Sequence, residues 1–194
     1  MKYFIPIIIL SLFLLGCKKD DDSSTTTTEL EGTWKTPCYA DGSTYRIKSL
    51  IVTGTTLVDT TNIYSDSSCT SENSKWVDTF SSLNIGDEIT FASYGSSGGS
   101  GHKFTLTADS FTATPLKDDT VTTLNTYSYC GDSDWALNTE KDITGKTCTH
   151  GTEWSAGTAG QGVYLLDGSK IFFGIGLSYP SSVDTGDNDT FTKQ

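Results

Sequence analysis

The chain has 194 residues, of which 24 are acidic and 13 basic, so its formal net charge at pH 7 is −11. A surface of this sign repels a phosphate backbone, which argues against nucleic acid as a partner. Residues 30 to 194 are numerous enough to bury the core of one ordinary domain.

The N-terminus has the pattern of a secretory signal. Met1-Lys2-Tyr3 is a short cationic start, and the apolar run over 4–16 is too short to span a bilayer. The run ends in Leu14-Leu15-Gly16-Cys17, which resembles the bacterial lipobox. That resemblance implies a signal peptide over 1–16, cleavage before Cys17, and acyl chains such as palmitate that hold this cysteine in a membrane. An uncleaved anchor, or an ordinary signal with an incidental cysteine, is the alternative.

A polar tether follows the lipidated cysteine and extends over 17–29. Its charged part, Lys18-Lys19-Asp20-Asp21-Asp22, precedes only serine, threonine and one glutamate, a composition that stays solvated. A lysine followed by acidic residues directly after the cysteine resembles the surface-export signal of Bacteroidetes lipoproteins. The aspartate that would retain an enterobacterial lipoprotein at the inner membrane does not follow Cys17. We expect the outer membrane, with the protein facing the cell exterior.

Four cysteines remain beyond the lipidated one. They are Cys38, Cys69, Cys130 and Cys148, an even number that predicts two disulfides in an exported protein. Of the three pairings, we favour Cys38–Cys69 and Cys130–Cys148, which join neighbouring segments without a long crossing, and sequence alone does not prove that choice. Zinc bound by Cys130, Cys148 and His150 is the alternative for the second pair, although the paired short spacings of structural zinc sites are absent.

Short runs rich in threonine, valine, isoleucine and aromatic residues predict an all-β domain over 30–194. In the second run, Tyr45, Ile47 and Ile51 alternate with Arg46 and Lys48, which places the two sets on opposite faces. The predicted strands are Gly32–Tyr39, Ser43–Val52, Thr56–Tyr64, Ser74–Phe80, Glu88–Ser93, Lys103–Thr107, Ser110–Pro115, Val121–Tyr129, Gly162–Leu166 and Lys170–Gly174.

Turn residues separate these runs. Asp41-Gly42, Asp109-Ser110 and Asp167-Gly168 indicate tight hairpins, because Asp-Gly suits the positive φ of a type I′ turn. The glycine-rich stretch over 94–101 indicates a flexible loop, and 133–141 a short helix capped by Ser133. Strands joined in sequence predict an antiparallel sandwich or an up-and-down barrel, and a barrel leaves no open edge.

The start of the domain, Gly32-Thr33-Trp34, resembles the Gly-x-Trp signature of lipocalins. Together with Cys38, Tyr45 and the segment from Tyr64 to Cys69, it is similar to lipocalin-like bacterial lipoproteins of unknown function. It is more distantly similar to the lipid-binding domain of the adenomatosis polyposis coli down-regulated family of Wnt inhibitors. Thin further matches occur at Asp134-Trp135, Lys141 to Gly145, Phe172-Phe173-Gly174 and Phe191-Thr192-Lys193.

The resemblance implies a lipocalin-like barrel that binds a small hydrophobic or lipid-like ligand. Candidate lining residues are Tyr45, Ile47, Phe91 and Tyr127, while Trp34 is expected to plug the closed end. Lipocalins stack a late arginine on this tryptophan, but Arg46 is the only arginine and lies too early. A lysine, Lys193 or Lys170, is then the cation partner. The alternative function is a surface adhesin or interaction module with a filled core.

Motifs for catalysis are weak. His102 and His150 are the only imidazoles, no Gly-x-Ser-x-Gly is present, and no carboxylate pair is singled out, so we expect no enzyme and no cofactor. The acidic groups Asp132/Asp134 and Asp184/Asp187/Asn188/Asp189 carry oxygen ligands of the kind calcium takes. Their spacing is not that of an EF-hand, and solvated turn carboxylates are the simpler interpretation.

Overall fold

The described part of the chain forms mostly antiparallel β-strands. The computed structural model describes residues 28–91, 99–181, 183 and 190–194. One α-helix, α1 (Asp118–Thr126), and a 3₁₀ turn at Tyr129–Gly131 accompany the strands there. The strands are β1 (Gly32–Lys35), β2 (Tyr39–Asp41), β3 (Thr44–Thr53), β4 (Thr56–Tyr64), β5 (Glu72–Phe91), β6 (Gly99–Pro115), β7 (Lys141–Asp142), β8 (Thr147–Cys148), β9 (Gly151–Thr152), β10 (Ala159–Asp167), β11 (Lys170–Gly176) and β12 (Thr190–Lys193).

Eight of these strands close into a barrel. Going round it, each strand pairs antiparallel with the next in the order β1, β3, β4, β5, β6, β10, β11 and β12, and β12 pairs with β1. Strand β2 adds to the edge of β3, β7 adds to β6, and β8 with β9 forms a separate hairpin. Because the order around the barrel follows the chain, the predicted up-and-down barrel is confirmed.

Two pairs of predicted strands are single long strands in the structure. β5 joins the predicted Ser74–Phe80 and Glu88–Ser93, and β6 joins Lys103–Thr107 and Ser110–Pro115. The predicted hairpin at Asp109-Ser110 is therefore wrong. Register shifts between β5 and β6 mark bulges at three places, and such bulges let strands this long bend around a barrel.

The other two predicted hairpins are present. Asp41 pairs with Thr44, and Asp167 pairs with Lys170, so each hairpin has a two-residue turn. The central residues are Gly-Ser rather than Asp-Gly. Only the glycine has positive φ, +61° at Gly168, which is the pattern of a type II′ turn rather than the expected type I′.

The short helix lies upstream of its predicted place. Residues 133–140 form turns and irregular backbone, whereas α1 occupies most of the predicted strand Val121–Tyr129. Asp118 and Asp119 in its first turn favour a helix start through the helix dipole. The Thr123 hydroxyl donates to the Asp119 carbonyl one turn earlier at 2.8 Å, which satisfies the hydroxyl within the helix. Both predictions for these segments were wrong.

One end of the barrel, near the β3–β4 turn, is closed by the N-terminal segment. Leu30 is fully buried, and the indole Nε1 of Trp34 donates to its carbonyl at 2.7 Å. The Lys193 ammonium lies 5.0 Å from the centroid of the Trp34 ring. Trp34 thus plugs this end as predicted, and Lys193 is its cation partner.

Both predicted disulfides, Cys38–Cys69 and Cys130–Cys148, are present. Zinc ligation by the second pair is excluded, since a thiolate and not a disulfide is the metal ligand. Among the described residues, no helix is both long and apolar enough to cross a membrane. The signal peptide and the tether lie outside the described residues, apart from Thr28 and Glu29.

Candidate functional site: a cavity between the barrel and its cap

The segment between β6 and β10 forms a cap over the other end of the barrel. This cap, residues 116–158, contains α1, the 3₁₀ turn, β7 and the β8–β9 hairpin. Its apolar side chains join the barrel core: Trp135 is 3% exposed and Ile143 1%. The Ile143 amide also donates to the Phe111 carbonyl of β6 at 2.9 Å. Packing and backbone bonds together fix the cap on the barrel.

The Cys130–Cys148 bond, called the cap disulfide below, places polar and aromatic residues over the barrel mouth. Tyr129 directly precedes one cysteine, while Thr149 and His150 directly follow the other. Both cysteines are buried in the main core. The bond therefore fixes Tyr129 and His150 beside each other, although 21 residues separate them in sequence.

A cavity of about 430 Å³ lies between these cap residues and the barrel wall. Half of the His150 side chain is exposed (48%), so solvent reaches the cavity from this side. Its volume falls in the range typical of small-molecule sites. Its lining consists of Arg46 from β3, Thr61 and Ile63 from β4, Trp76 and Asp78 from β5, and Tyr129, Thr149 and His150 from the cap.

Strand alternation explains this wall. Leu50 and Val52 are buried inside the barrel, so the even-numbered residues of β3 face inward, including Arg46. Because β3 pairs with β4 and β4 with β5, the residues in register with these inward positions also face the barrel interior on β4 and β5. Near the cavity this inner face carries charged and hydroxyl side chains. Deeper in the barrel these strands carry buried apolar residues such as Val52, Leu57 and Phe80.

Asp78 lies at the floor of the cavity, where the lining meets the apolar core. In the strand register it stands opposite Asp59 of β4 and opposite buried Phe111 of β6. Burial, and then the charges of Asp59 and Glu153, raise the pKa of the Asp78 carboxyl to about 8. At pH 7 this carboxyl is mostly protonated, and it is a hydrogen-bond donor as well as an acceptor.

The cap contributes a hydrogen-bonded chain of Tyr129, His150 and Glu153. The Tyr129 hydroxyl lies 2.8 Å from His150 Nδ1, and His150 Nε2 lies 2.6 Å from the Glu153 carboxylate. A carboxylate only accepts, so His150 Nε2 carries a proton and donates to Glu153. Burial raises the pKa of Tyr129 to about 12, so its hydroxyl stays protonated.

Aromatic rings form one corner of the cavity. The Trp76 ring meets Tyr129 edge to face, with centroids 5.7 Å apart at 70°, and lies 5.2 Å from the His150 ring. Trp76 sits on the barrel and the other two on the cap. The corner therefore depends on both parts of the fold, and it offers a flat apolar surface to a bound molecule.

Arg46 lies near the mouth of the cavity. Its guanidinium pairs with Asp41 at 2.6 Å, which connects β3 to the short edge strand β2. Its Nε is buried and finds no hydrogen-bond partner within the described ranges. A buried donor without a partner is costly, and an acceptor on a bound molecule would satisfy it.

Two of the predicted lining residues, Tyr45 and Ile47, face away from the barrel interior. The alternation between the two faces of β3 was predicted correctly, but the inward face is the one with Arg46 and Lys48. The prediction assumed that the more apolar face points inward. At this end the assumption fails, because the inner face lines a polar cavity.

The other two predicted lining residues are also outside the barrel. Phe91 is 4% exposed, but it packs in a second cluster with Val163, Leu165, Phe172 and Val183. This cluster covers the outer face of β10, whose inner face carries Tyr164. Tyr127 ends α1 and is 74% exposed. None of the four predicted residues lines the cavity.

The remaining candidates have structural partners. His102 stacks on Tyr164 at the end closed by the N-terminal segment, with ring centroids 5.8 Å apart, so it is not in the cavity. Asp134 pairs with Lys141, and Asp132 lies 2.5 Å from Lys146. The Lys141 ammonium holds the pKa of Asp134 below its usual value.

Metal ligands do not cluster in the described ranges. No group of three or more histidine, cysteine, aspartate or glutamate side chains there is arranged to hold a metal ion. The acidic group at 184–189 lies outside the described residues, as does most of the glycine-rich stretch over 94–101. Gly99, Ser100 and Gly101 of that stretch belong to β6.

The residues that form the site were not predicted as a site from the sequence. Arg46 and His150 were noted for other reasons, and Asp78 was not singled out. The signal was available in the alternation Ser74, Trp76, Asp78 and Phe80, which puts a carboxyl and an indole on the same inner face. The sequence pattern did not predict where the cap lies, and the cap is the part that encloses that face as a cavity.

The cavity offers a molecule-sized recess, aromatic surface, hydrogen-bonding groups of both kinds and access from solvent. These properties suit recognition of a small molecule. Comparison of the chain with known protein families and with curated protein sequences finds no significant match.

Proposed function

We propose that this protein is a membrane-anchored lipoprotein that binds a small molecule in the cavity between barrel and cap. The observation that carries the proposal is the cavity itself, about 430 Å³ in volume and lined from both parts of the fold. Large buried side chains such as Trp34, Phe104 and Tyr164 occupy the barrel interior away from the cap. A ligand inside the barrel would therefore bind at the capped end.

The lining favours an amphipathic ligand over a lipid chain. Of the eight lining residues, only Ile63 and Trp76 are apolar, whereas the others carry hydroxyl, carboxyl, imidazole or guanidinium groups. An acyl chain would leave these polar groups without partners, at a cost in binding free energy. A small molecule with a flat apolar body and polar groups at its ends matches the wall better.

The anchored, surface-facing location rests on the N-terminal sequence. The lipobox-like Leu14-Leu15-Gly16-Cys17 supports cleavage and acylation, and the charged tether supports the outer face of the outer membrane. Protease added to whole cells should remove the protein, and Cys17→Ala should leave it released or uncleaved. Protection of the wild type in intact cells would place it in the periplasm instead.

Native mass spectrometry tests the binding function. The chain from Lys18 onward, exported so that its disulfides form, keeps every described residue and lacks the acyl chains. Wild-type protein should retain a small molecule that organic extraction recovers. Ile63→Trp, which fills the cavity, should lose it, while Ile47→Trp on the outer face of the neighbouring strand should keep it.

The opposite result has a clear meaning. If the wild type is empty, and also ignores a panel of small aromatic molecules, the cavity is not a binding site. The protein would then be better described as a surface interaction module, the alternative that the sequence already suggested. Retention that is equal in Ile63→Trp and in the wild type would move the ligand to another site.

A further inference from the structure

Resting on the proposed function, we propose that the ligand is a small organic cation. Its protonated nitrogen would bind Asp78 at the floor of the cavity, beside the Trp76 and Tyr129 rings. Within the described part of the chain, no hydrogen bond or ion pair is formed by the Asp78 carboxyl. It is the one acid among the lining residues and points into a molecule-sized space.

The charges around this carboxyl favour a cation. Asp59 faces it from β4 and Glu153 from the cap, and both raise its pKa, as burial does. On β3, Lys48 and Arg46 share the inner face, and Asp41 neutralises Arg46 at the mouth. His150, which is bonded to Glu153, and Tyr129 complete the titratable groups on the cap side. A bound ammonium group would offset the negative neighbours and the burial together.

The aromatic corner suits the same ligand. Tryptophan is the best partner for a cation over its ring face, and tyrosine follows. Trp76 and Tyr129 meet at 70°, so a group placed between them contacts one ring face and one ring edge. A neutral apolar ligand would use these rings equally well. Asp78 is the feature that separates the two ligand classes.

Arg46 indicates a second property of the ligand. Asp78 is in register with Leu50 of β3 through Asp59 of β4, and Arg46 lies four residues before Leu50. Arg46 and Asp78 are therefore separated by about 13 Å along the strand direction. Its unpartnered Nε therefore donates near the mouth while Asp78 accepts at the floor. A molecule with an amine at one end and an oxygen acceptor at the other would satisfy both groups.

Binding of a cation has a measurable consequence for protons. The free carboxyl of Asp78, with a pKa of about 8, is mostly protonated at pH 7. An ammonium group favours the ionised form, so binding at pH 7 should release close to one proton. Affinity should rise as the pH increases from 6 to 8, because less work is then needed to remove that proton.

Isothermal titration calorimetry with three matched indoles tests the inference. Tryptamine, tryptophol and indole-3-propionate share a ring and differ in an ammonium, a hydroxyl or a carboxylate group. Tryptamine should bind the tightest, by about 10- to 100-fold over tryptophol. Titrations at pH 7 in phosphate and in Tris, which differ in ionisation enthalpy, should show about one proton released per tryptamine bound.

Asp78→Asn should remove the preference for tryptamine and the proton release, and leave tryptophol binding nearly unchanged. Asp119→Asn, the same substitution on exposed α1, should change neither. Equal or tighter binding of tryptophol, or tryptamine binding without proton release, would overturn the inference and leave the proposed function standing. If none of the three binds, the inference fails, and the native mass spectrum decides separately whether the cavity takes another molecule.

Discussion

Replacing Asp78 with asparagine should change how stability depends on pH. The ordinary pKa of an aspartate is 3.8, and in the folded protein that of Asp78 is about 8. Between these values the native state holds a proton that the unfolded chain has released. Ionisation then favours unfolding, so this residue lowers the stability of the native state progressively as the pH rises from about 4 to about 8.

The magnitude follows from the shift. Each pKa unit corresponds to about 1.4 kcal/mol, so the full shift corresponds to about 6 kcal/mol. Asparagine has nearly the same shape and never ionises. The free energy of unfolding of Asp78→Asn minus that of the wild type should therefore increase between pH 4 and pH 8. The increase should be at least about 2 kcal/mol after allowance for water in the cavity.

Urea unfolding, followed by tryptophan fluorescence at several pH values, measures this difference. Other shifted carboxyls, such as Asp66, whose pKa is lowered, are common to both proteins and cancel in the comparison. Asp119→Asn on exposed α1 serves as the control for the substitution itself. A difference between Asp78→Asn and the wild type that does not change with pH would mean that Asp78 ionises without penalty, and the reasoning about the cavity floor would be wrong.

Three further substitutions test the fold. Lys193→Met should cost about 0.5–1 kcal/mol in urea unfolding through loss of the cation over Trp34, whereas Lys170→Met should cost nothing measurable. Gly162→Ala should cost about 1–3 kcal/mol, since its Cβ would lie 1.9 Å from a ring atom of a buried phenylalanine, while Gly86→Ala meets only ordinary contacts and should be tolerated. Alanine at both cysteines of the cap disulfide, which spans 18 residues, should cost about 2–4 kcal/mol and weaken ligand retention; unchanged retention would show that the cap holds its position without the bond.

Much of the barrel could be predicted because its signals are local. Alternating apolar residues, hairpin glycines and the even number of cysteines each depend on a few neighbouring positions. The Asp167–Lys170 hairpin and both disulfides are present as predicted. The closed end was also anticipated, because the lipocalin resemblance implied a late cation over Trp34 and Lys193 near the C-terminus occupies that place.

Long-range features were harder to predict. Bulges within β5 and β6 depend on the curvature of the closed barrel, so an apparent break at Asp109-Ser110 was taken for a turn. The threonine-rich segment of α1 has the composition of a strand. It forms a helix because acidic residues occupy its first turn and because it belongs to a cap rather than to the sheet.

The site was missed for a related reason. An apolar face normally points into a barrel, and that rule assigned Tyr45 and Ile47 to the interior. At the capped end, the residues between Pro115 and Ala159 cover the mouth and make a polar interior stable. Arg46 and Asp78 can face inward there because the cap supplies a second wall, and a single strand's pattern contains no information about that wall.

The most direct test of the account is to locate the bound molecule. Crystals of the protein purified from its own host should show electron density for an organic molecule between Trp76 and Tyr129, with a polar end near Asp78. Crystals of Ile63→Trp should lack that density. A wild-type cavity that holds only water, with a retained molecule bound elsewhere, for example against the outer cluster around Phe91, would contradict the assignment of this cavity as the functional site.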